Sequence, residues 1–151
     1  MKFTLEEAAE GDNPPDGFTL LRGQSQADWM AGPYYVARRD GEWVLGFRIK
    51  ERHLNPNRVC HGGMIATFAD MLTTALQDDP AVPQIVATIS LSVDYLAPAP
   101  LGAWVEGVPE ALHETGRLLF FKSVIRADGD PVARCSGHFR VTRPKAGETS
   151  S

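Results

Sequence analysis

The sequence predicts an α+β fold in which one curved antiparallel sheet wraps around one long central helix. Three observations lead there. The 151-residue chain has one long helical candidate, from Gly62 to about Leu76. That stretch is apolar on nearly every side, so it must be covered on most of them. The segments on either side of it read as strands, several with one wet face and one apolar face. A chain of this length buries about 68–70% of its unfolded surface, so one core suffices without covalent staples.

Taken in order, residues 3–10 read as a short helix, which "GDNPPDG" then breaks, because prolines and glycines punctuate strongly. Residues 18–32 carry no decisive pattern. "PYYVARRDGEWVLGFRIK" reads as a hairpin turning at "RDGE", since Asp-Gly is a favoured hairpin pair. In its second strand Leu45, Phe47 and Ile49 alternate with Gly46, Arg48 and Lys50, which predicts one buried face. "HLNPNRVCHGG" has the turn chemistry of a loop. The long helix follows and stops at "QDDP", because Pro80 cannot continue it. Four strands are then expected in "QIVATISLSVDYL", "WVEGVPEALHE", "GRLLFFKSVIRAD" and "DPVARCSGHFRVT", the last pair joined by a tight turn at "ADGD". In the final strand Ala133, Cys135, Gly137, Phe139 and Val141 form the apolar face against Arg134, Ser136, His138 and Arg140. Residues 1–32 thus form an N-terminal extension with a short helix, 33–142 the domain, and 143–151 a tail expected to be disordered.

Composition narrows the function. A formal charge of −4 argues against a nucleic-acid binder, which usually shows a basic face. No apolar run reaches the length of a membrane span. The start, "MKFTLEEAAEG", is acidic and lacks the apolar core of a signal peptide. Reduced thiols in the cytoplasm are therefore expected for Cys60 and Cys135, and their spacing does not suit a zinc site. Neither a metal nor a cofactor is expected.

"CHGGMIATFAD", residues 60–70, carries the chemistry. A helix N-terminus leaves backbone N–H groups without intrahelical partners, and the macrodipole makes them an anion site. Gly62 and Gly63 let a ligand approach that backbone closely, as an oxyanion hole requires, although glycines also serve tight turns and close packing. Asp70 sits among apolar neighbours, where an unpartnered carboxylate costs several kcal/mol or neutralises. Its structural alternatives are bonds to Thr67, Thr73, Thr74 or an arginine. An anion site and a carboxylate base on one apolar helix fit acyl transfer.

"LNPNRVCHGGMIATFADMLTTAL" resembles the signature of hot-dog thioesterases of the phenylacetyl-CoA thioesterase-like group, within the 4-hydroxybenzoyl-CoA thioesterase superfamily. The matching features are an Asn six positions before the His, the His-Gly-Gly, and an acid nine positions after the His. "VDYLAPAPLG" resembles the strand end and proline loop downstream, and the similarity spans about residues 40–142. The resemblance implies hydrolysis of an acyl-CoA thioester without a cofactor. It implies Asp70 as general base or nucleophile, Gly62 N–H as oxyanion donor, Asn55 as the group positioning water or substrate, His61 as the orienter of the loop, and Thr88 as a contact of the water. Met64, Phe68, Met71 and Leu72 are candidates to line a pocket for a medium chain or an aromatic ring, and Gly63 is a further substrate-binding candidate. Arg58, Arg117, Arg134, Arg140 and Arg143 are candidates for the CoA phosphates, since arginine suits phosphate. Each residue has a plainer alternative. Asn55 before Pro56 suits a turn, with Asn57 as a substitute; Thr88 suits any strand; Cys60 suits a small buried site or a nucleophile. A hot-dog hydratase and a non-catalytic acyl-CoA binder are the competing functions.

Geometry adds an expectation about assembly. Gly62 and Asp70 are eight residues apart, about 12 Å along a helix axis. Groups serving one carbonyl must each lie roughly 3 Å from the reacting atoms. A homodimer, or a dimer of dimers, with sites shared between chains is therefore expected.

Overall fold

The computed structural model describes residues 3–81 and 85–142. The tail at 143–151, and Arg143 with it, lie outside the described residues. In chain order the elements are α1 (Leu5–Ala9), β1 (Thr19–Leu20), α2 (Gln26–Ala31), β2 (Tyr35–Arg39), β3 (Glu42–Arg48), α3 (Gly62–Met71), β4 (Ile85–Tyr95), β5 (Trp104–Gly107), β6 (Glu110–Glu114), β7 (Leu118–Ala127) and β8 (Asp130–Val141). Seven strands form the antiparallel order β1-β2-β3-β5-β7-β8-β4, and β6 pairs with β7. The sheet curves around α3, the hot-dog arrangement. Ile65, Phe68, Ala69 and Leu72 from the helical segment meet Leu45, Phe47, Val105, Phe121, Ile125 and Phe139 from the sheet in one core.

The hairpin turns form where Asp-Gly pairs stand. Asp40 and Gly41 take φ of 52° and 80°, and Asp128 and Gly129 take 47° and 87°. Two successive positive φ values match the twist of flanking strands, and Asp and Gly tolerate them. The last strand buries Ala133, Cys135 and Phe139 and exposes Arg134, Ser136 and Arg140, as its alternation requires.

Three local readings are corrected, and one open stretch is assigned. The helix does not run as α to Leu76. It gives way to a 3₁₀ turn over Leu72–Leu76, where the hydroxyls of Thr73 and Thr74 donate to the carbonyls of Asp70 and Met71. Such side-chain bonds compete with the helical ladder. "WVEGVPEALHE" is two strands, because Pro109 has no N–H to donate, and Gly107 sits so close to Leu72 that a Cβ would come within 2.9 Å of it. β3 is covered on both faces. Val44 is fully buried beside Phe18, Tyr35 and Trp104 in a second cluster, and Gly46 leaves room for the Trp104 ring. The undecided stretch 18–32 holds β1 and α2. α2 starts at a capping box in which Ser25 and Asp28 bond each other's backbone N–H.

This N-terminal segment is held by cations from the end of β3 and the turn after it. Lys50 lies 2.6 Å from the buried Asp12 carboxylate, which also accepts from the Tyr35 hydroxyl. Arg52 donates to the carbonyls of Ala8, Trp29, Met30 and Gly32, at the ends of α1 and α2. His53 follows directly and is fully buried. Its Nδ1 accepts from Lys50 N–H, and its carbonyl accepts from His61 N–H at 2.7 Å. The anchored segment thus runs straight into the loop that carries the histidine and glycines.

Burial, with the charge of Arg52 beside it, pushes the His53 imidazole down from 6.5 to about 4. A folded-state value below the unfolded one means that stability present above pH 6.5 is lost as pH falls through 4, on the order of 3 kcal/mol in all. Asp12 works in the opposite sense. Burial raises its carboxyl despite Lys50 and Tyr35, so its contribution fades as pH rises. His53→Phe keeps an aromatic ring against Phe47. In urea melts at a series of pH values, wild type is expected to lose stability relative to this variant between pH 6.5 and 4; parallel curves would show that His53 is not buried neutral.

Candidate active site

Loop 54–61 delivers its residues to the start of α3. Asn55 Oδ1 accepts from the N–H of Asn57 and Val59, so this side chain builds the turn. Its residue also lines a hollow of roughly 410 Å³ with Cys60, Gly62, Ile65 and Tyr95. Asn57 is exposed, with its backbone engaged by Asn55. Arg58 takes a φ of 64° and pairs with Glu51 at 2.7 Å on the surface.

The first turn of α3 shares out its N–H groups unevenly. His61 is the N-cap, and its Nδ1 accepts from Gly63 N–H at 3.0 Å. Its carbonyl accepts from Met64 and Ile65. Among the described residues Gly62 N–H has no partner. It is therefore the free donor of a helix N-terminus, where an anion is favoured. The glycines are needed for close approach. A Cβ at Gly62 would lie 3.3 Å from the Tyr95 ring, and one at Gly63 would lie 3.2 Å from His61 Nδ1.

Asp70 occupies the other end of α3. Its Oδ1 accepts a 2.6 Å bond from the Thr88 hydroxyl. None of the three helix threonines bonds its carboxylate, since Thr67, Thr73 and Thr74 donate to backbone carbonyls. Asp70 is half-buried, not enclosed as its apolar neighbours imply, because it faces β4 at the sheet edge where the chain provides no further cover. Thr88 reaches it from β4, where a register irregularity between Thr88 and Ser90 shifts the strand.

The pocket candidates divide. Phe68 and Leu72 are fully buried, and the Phe68 ring packs on Phe47 and Tyr34, so both fill the core and offer no surface to a ligand. Met64 and Met71 are partly buried at the rim of that core, and Gly63 is exposed. Arg134 pairs with Asp94 at 2.8 Å on the outer face of the sheet. Arg117 and Arg140 flank a second hollow with Ile89 and Leu118. Tyr95 was not singled out by its place in the sequence, yet its hydroxyl donates to the Gly62 carbonyl at 2.6 Å. The only sequence signal for it is an aromatic residue closing a strand just before the proline loop.

Among the described residues no group of three or more His, Cys, Asp or Glu is placed to hold a metal, and no helix is long and apolar enough to cross a membrane. Both cysteines are unpaired and buried.

Known proteins match this architecture. The thioesterase superfamily model matches residues 57–133. A Pseudomonas aeruginosa protein named as an esterase is 32% identical over 133 residues, covering 85% of this chain and 98% of its own. Human acyl-coenzyme A thioesterase 13 is 28% identical over 59% of this chain and 63% of its own. The fold is shared with a mutant of the phenylacetic acid degradation protein PaaI from Thermus thermophilus, at a TM-score of 0.65 and 22% identity over 78% of this chain and 99% of that one. It is also shared with a hypothetical thioesterase from Streptococcus pneumoniae solved with coenzyme A, at 0.62 and 21% over 72% and 85%.

Burial pushes the Cys60 thiol up to about 12, so it carries almost no thiolate near neutral pH and is a poor nucleophile. Cys60→Ala is expected to keep thioester turnover within about twofold while losing roughly 1 kcal/mol of stability. Loss of turnover in a variant that melts normally would return Cys60 to the reaction.

Proposed function

Because the chain belongs to the thioesterase superfamily, we propose that this site hydrolyses an acyl-CoA thioester to the free acid and CoA. The observation that carries the reading is the pairing of one unpartnered helix N–H, at Gly62, with one half-buried carboxylate, at Asp70, on the same helix. The human relative's name includes acyl-coenzyme A, and the Streptococcus pneumoniae structure holds coenzyme A, which supports CoA as the carrier.

In this reading the thioester oxygen accepts from Gly62 N–H. Charge develops on that oxygen as the carbonyl becomes tetrahedral, so the fixed donor stabilises the transition state more than the ground state. Thr88 holds Oδ1 of Asp70, which leaves Oδ2 to act. It takes a proton from water that attacks the carbonyl, or attacks the carbonyl itself to give an anhydride that water then opens. Collapse of the tetrahedral species breaks the C–S bond and releases CoA as the thiol. In a single turnover in ¹⁸O-water, label in Asp70 marks the second role with water opening the anhydride at the Asp70 carboxyl carbon, whereas the first role puts label in the product acid only. Asn55 and His61 border the donor end, and Met64 and Met71 border the acyl group. Arg117 and Arg140, which flank one hollow, are the better candidates for the CoA phosphates; Arg58 and Arg134 are already paired.

The site is shared between two chains. Gly62 and Asp70 stand about 12 Å apart along α3, which is too far to serve one carbonyl. Tyr95 marks the Gly62 end of β4 and Thr88 the Asp70 end, seven residues away along the strand. β4 is an edge strand of eleven residues, and Ile89, Tyr95 and Leu96 along it and just after it are 54%, 55% and 54% exposed. Such an edge is an invitation to strand pairing. Antiparallel pairing with a second copy sets Thr88 and Asp70 of one protomer against Asn55, His61 and Gly62 of the other, and covers Ile89, Tyr95 and Leu96.

Asp70→Asn is expected to lower thiol release from acyl-CoA by at least about a hundredfold, with the melting temperature held or raised, because the charge is removed and the shape kept. A panel of acyl-CoAs varying in length and ring content reads the acyl preference; no thiol release from any of them would favour a binding protein. Sharing of the site has its own measurement. Asp70→Asn and Asn55→Ala chains, each inactive alone, are unfolded together and refolded. Mixed dimers then carry one intact site each, and about a quarter of wild-type activity returns by two-fold symmetry. A silent mixture with mixed dimers confirmed by mass would refute the shared site.

A further inference from the structure

Gly62 is an unusual place for a fixed donor, because glycine is the residue least restrained about its own backbone. The peptide groups on either side of the His61–Gly62 link are pinned from outside the helix. The one before it is held by His61 N–H on the His53 carbonyl at 2.7 Å. The one after it is held by the Tyr95 hydroxyl on the Gly62 carbonyl at 2.6 Å. Carbonyls of a first turn also take part in the helix, but the phenol adds a partner on β4, so the helix start is tied to the sheet.

The same contact reaches His61. The carbonyl that accepts from Tyr95 and the N–H of Gly63 belong to one peptide group. That N–H donates to His61 Nδ1 at 3.0 Å. A carbonyl that accepts a strong bond makes its own N–H a better donor, since bonds in such chains polarise one another. With Nδ1 accepting, the neutral ring carries its proton on Nε2, and the exposed imidazole presents an N–H to its surroundings. The Tyr95 ring also stands 3.3 Å from where a Gly62 Cβ would be, so the position of the phenol is set by contact as well as by the bond.

We infer that Tyr95 is a positioning residue. Through the Gly62–Gly63 peptide it fixes the direction of the Gly62 N–H and holds His61 in its Nε2–H form. The kinetic half of this rests on the reading of Gly62 as oxyanion donor; the histidine half does not.

Tyr95→Phe keeps the ring and removes only the hydroxyl, on a side chain that is 55% exposed in the single chain, so folding is not at stake and a melting curve checks it. Two measurements on the full chain decide the matter. In ¹⁵N spectra of the imidazole at a pH where the ring is neutral, wild type is expected to show the Nε2–H form of His61, and Tyr95→Phe a mixture of both forms. In steady-state hydrolysis of one acyl-CoA, kcat is expected to fall about three- to tenfold with KM within twofold, the size of one modest hydrogen bond acting on the transition state. Full loss of the donor costs more, about a hundred- to a thousandfold. An unchanged kcat, or a fall matched by an equal fall in affinity for CoA, overturns the inference, and so does an unaltered His61 spectrum. If wild type hydrolyses no acyl-CoA, the proposed reaction is lost, and the imidazole spectrum alone then sustains or overturns the role of Tyr95.

Discussion

A helix that is apolar on nearly every side has to be surrounded, and the rest of the molecule follows from meeting that need with one sheet. Ile65, Phe68, Ala69 and Leu72 are at most 3% exposed, and the strands that bury them must curve to reach more than one side of α3. Gly107 shows how close that wrapping is, since Leu72 occupies the space where a side chain at this position would stand. The curve leaves the sheet open, with β4 as its last strand, and one flank of α3 therefore faces the edge of the molecule.

The proposed site lies on that flank, at the two ends of α3. At the N-terminal end the capping arrangement consumes the donors of Gly63 and Met64 and spares that of Gly62. At the other end Asp70 is half-buried at the sheet edge, with the Thr88 hydroxyl as its partner. A carboxylate in the middle of the core would neutralise. The same placement is what the proposal of a shared site rests on, since a rigid helix holds the two groups apart and an antiparallel partner would bring opposite ends together.

The N-terminal segment supports this site from behind. Its helices are short, and short helices are marginal without outside contacts. Arg52 supplies those contacts by bonding carbonyls at the ends of both, and Lys50 adds the buried pair with Asp12. His53 passes the anchoring on to His61 through one backbone bond. The family match spans residues 57–133, while the anchoring of the loop before it comes from residues outside that span.

Elements and residues whose behaviour depends on near neighbours in the chain were legible without coordinates. The Asp-Gly turns, the alternation in β8 and the start of α3 at His-Gly-Gly each follow from local geometry or period. So do the glycines and the acid, because a close backbone approach and an isolated carboxylate stand out against an apolar run. What the tertiary structure decided are matters of distance between remote segments. It showed that Phe68 is core, that Asp70 meets Thr88 and not a threonine of its own helix, and that both faces of β3 are covered. It also brought Tyr95 to Gly62 across thirty-three positions of chain. No local pattern encodes such meetings, because a side chain's partner is set by how the sheet closes over the helix and not by its neighbours in sequence.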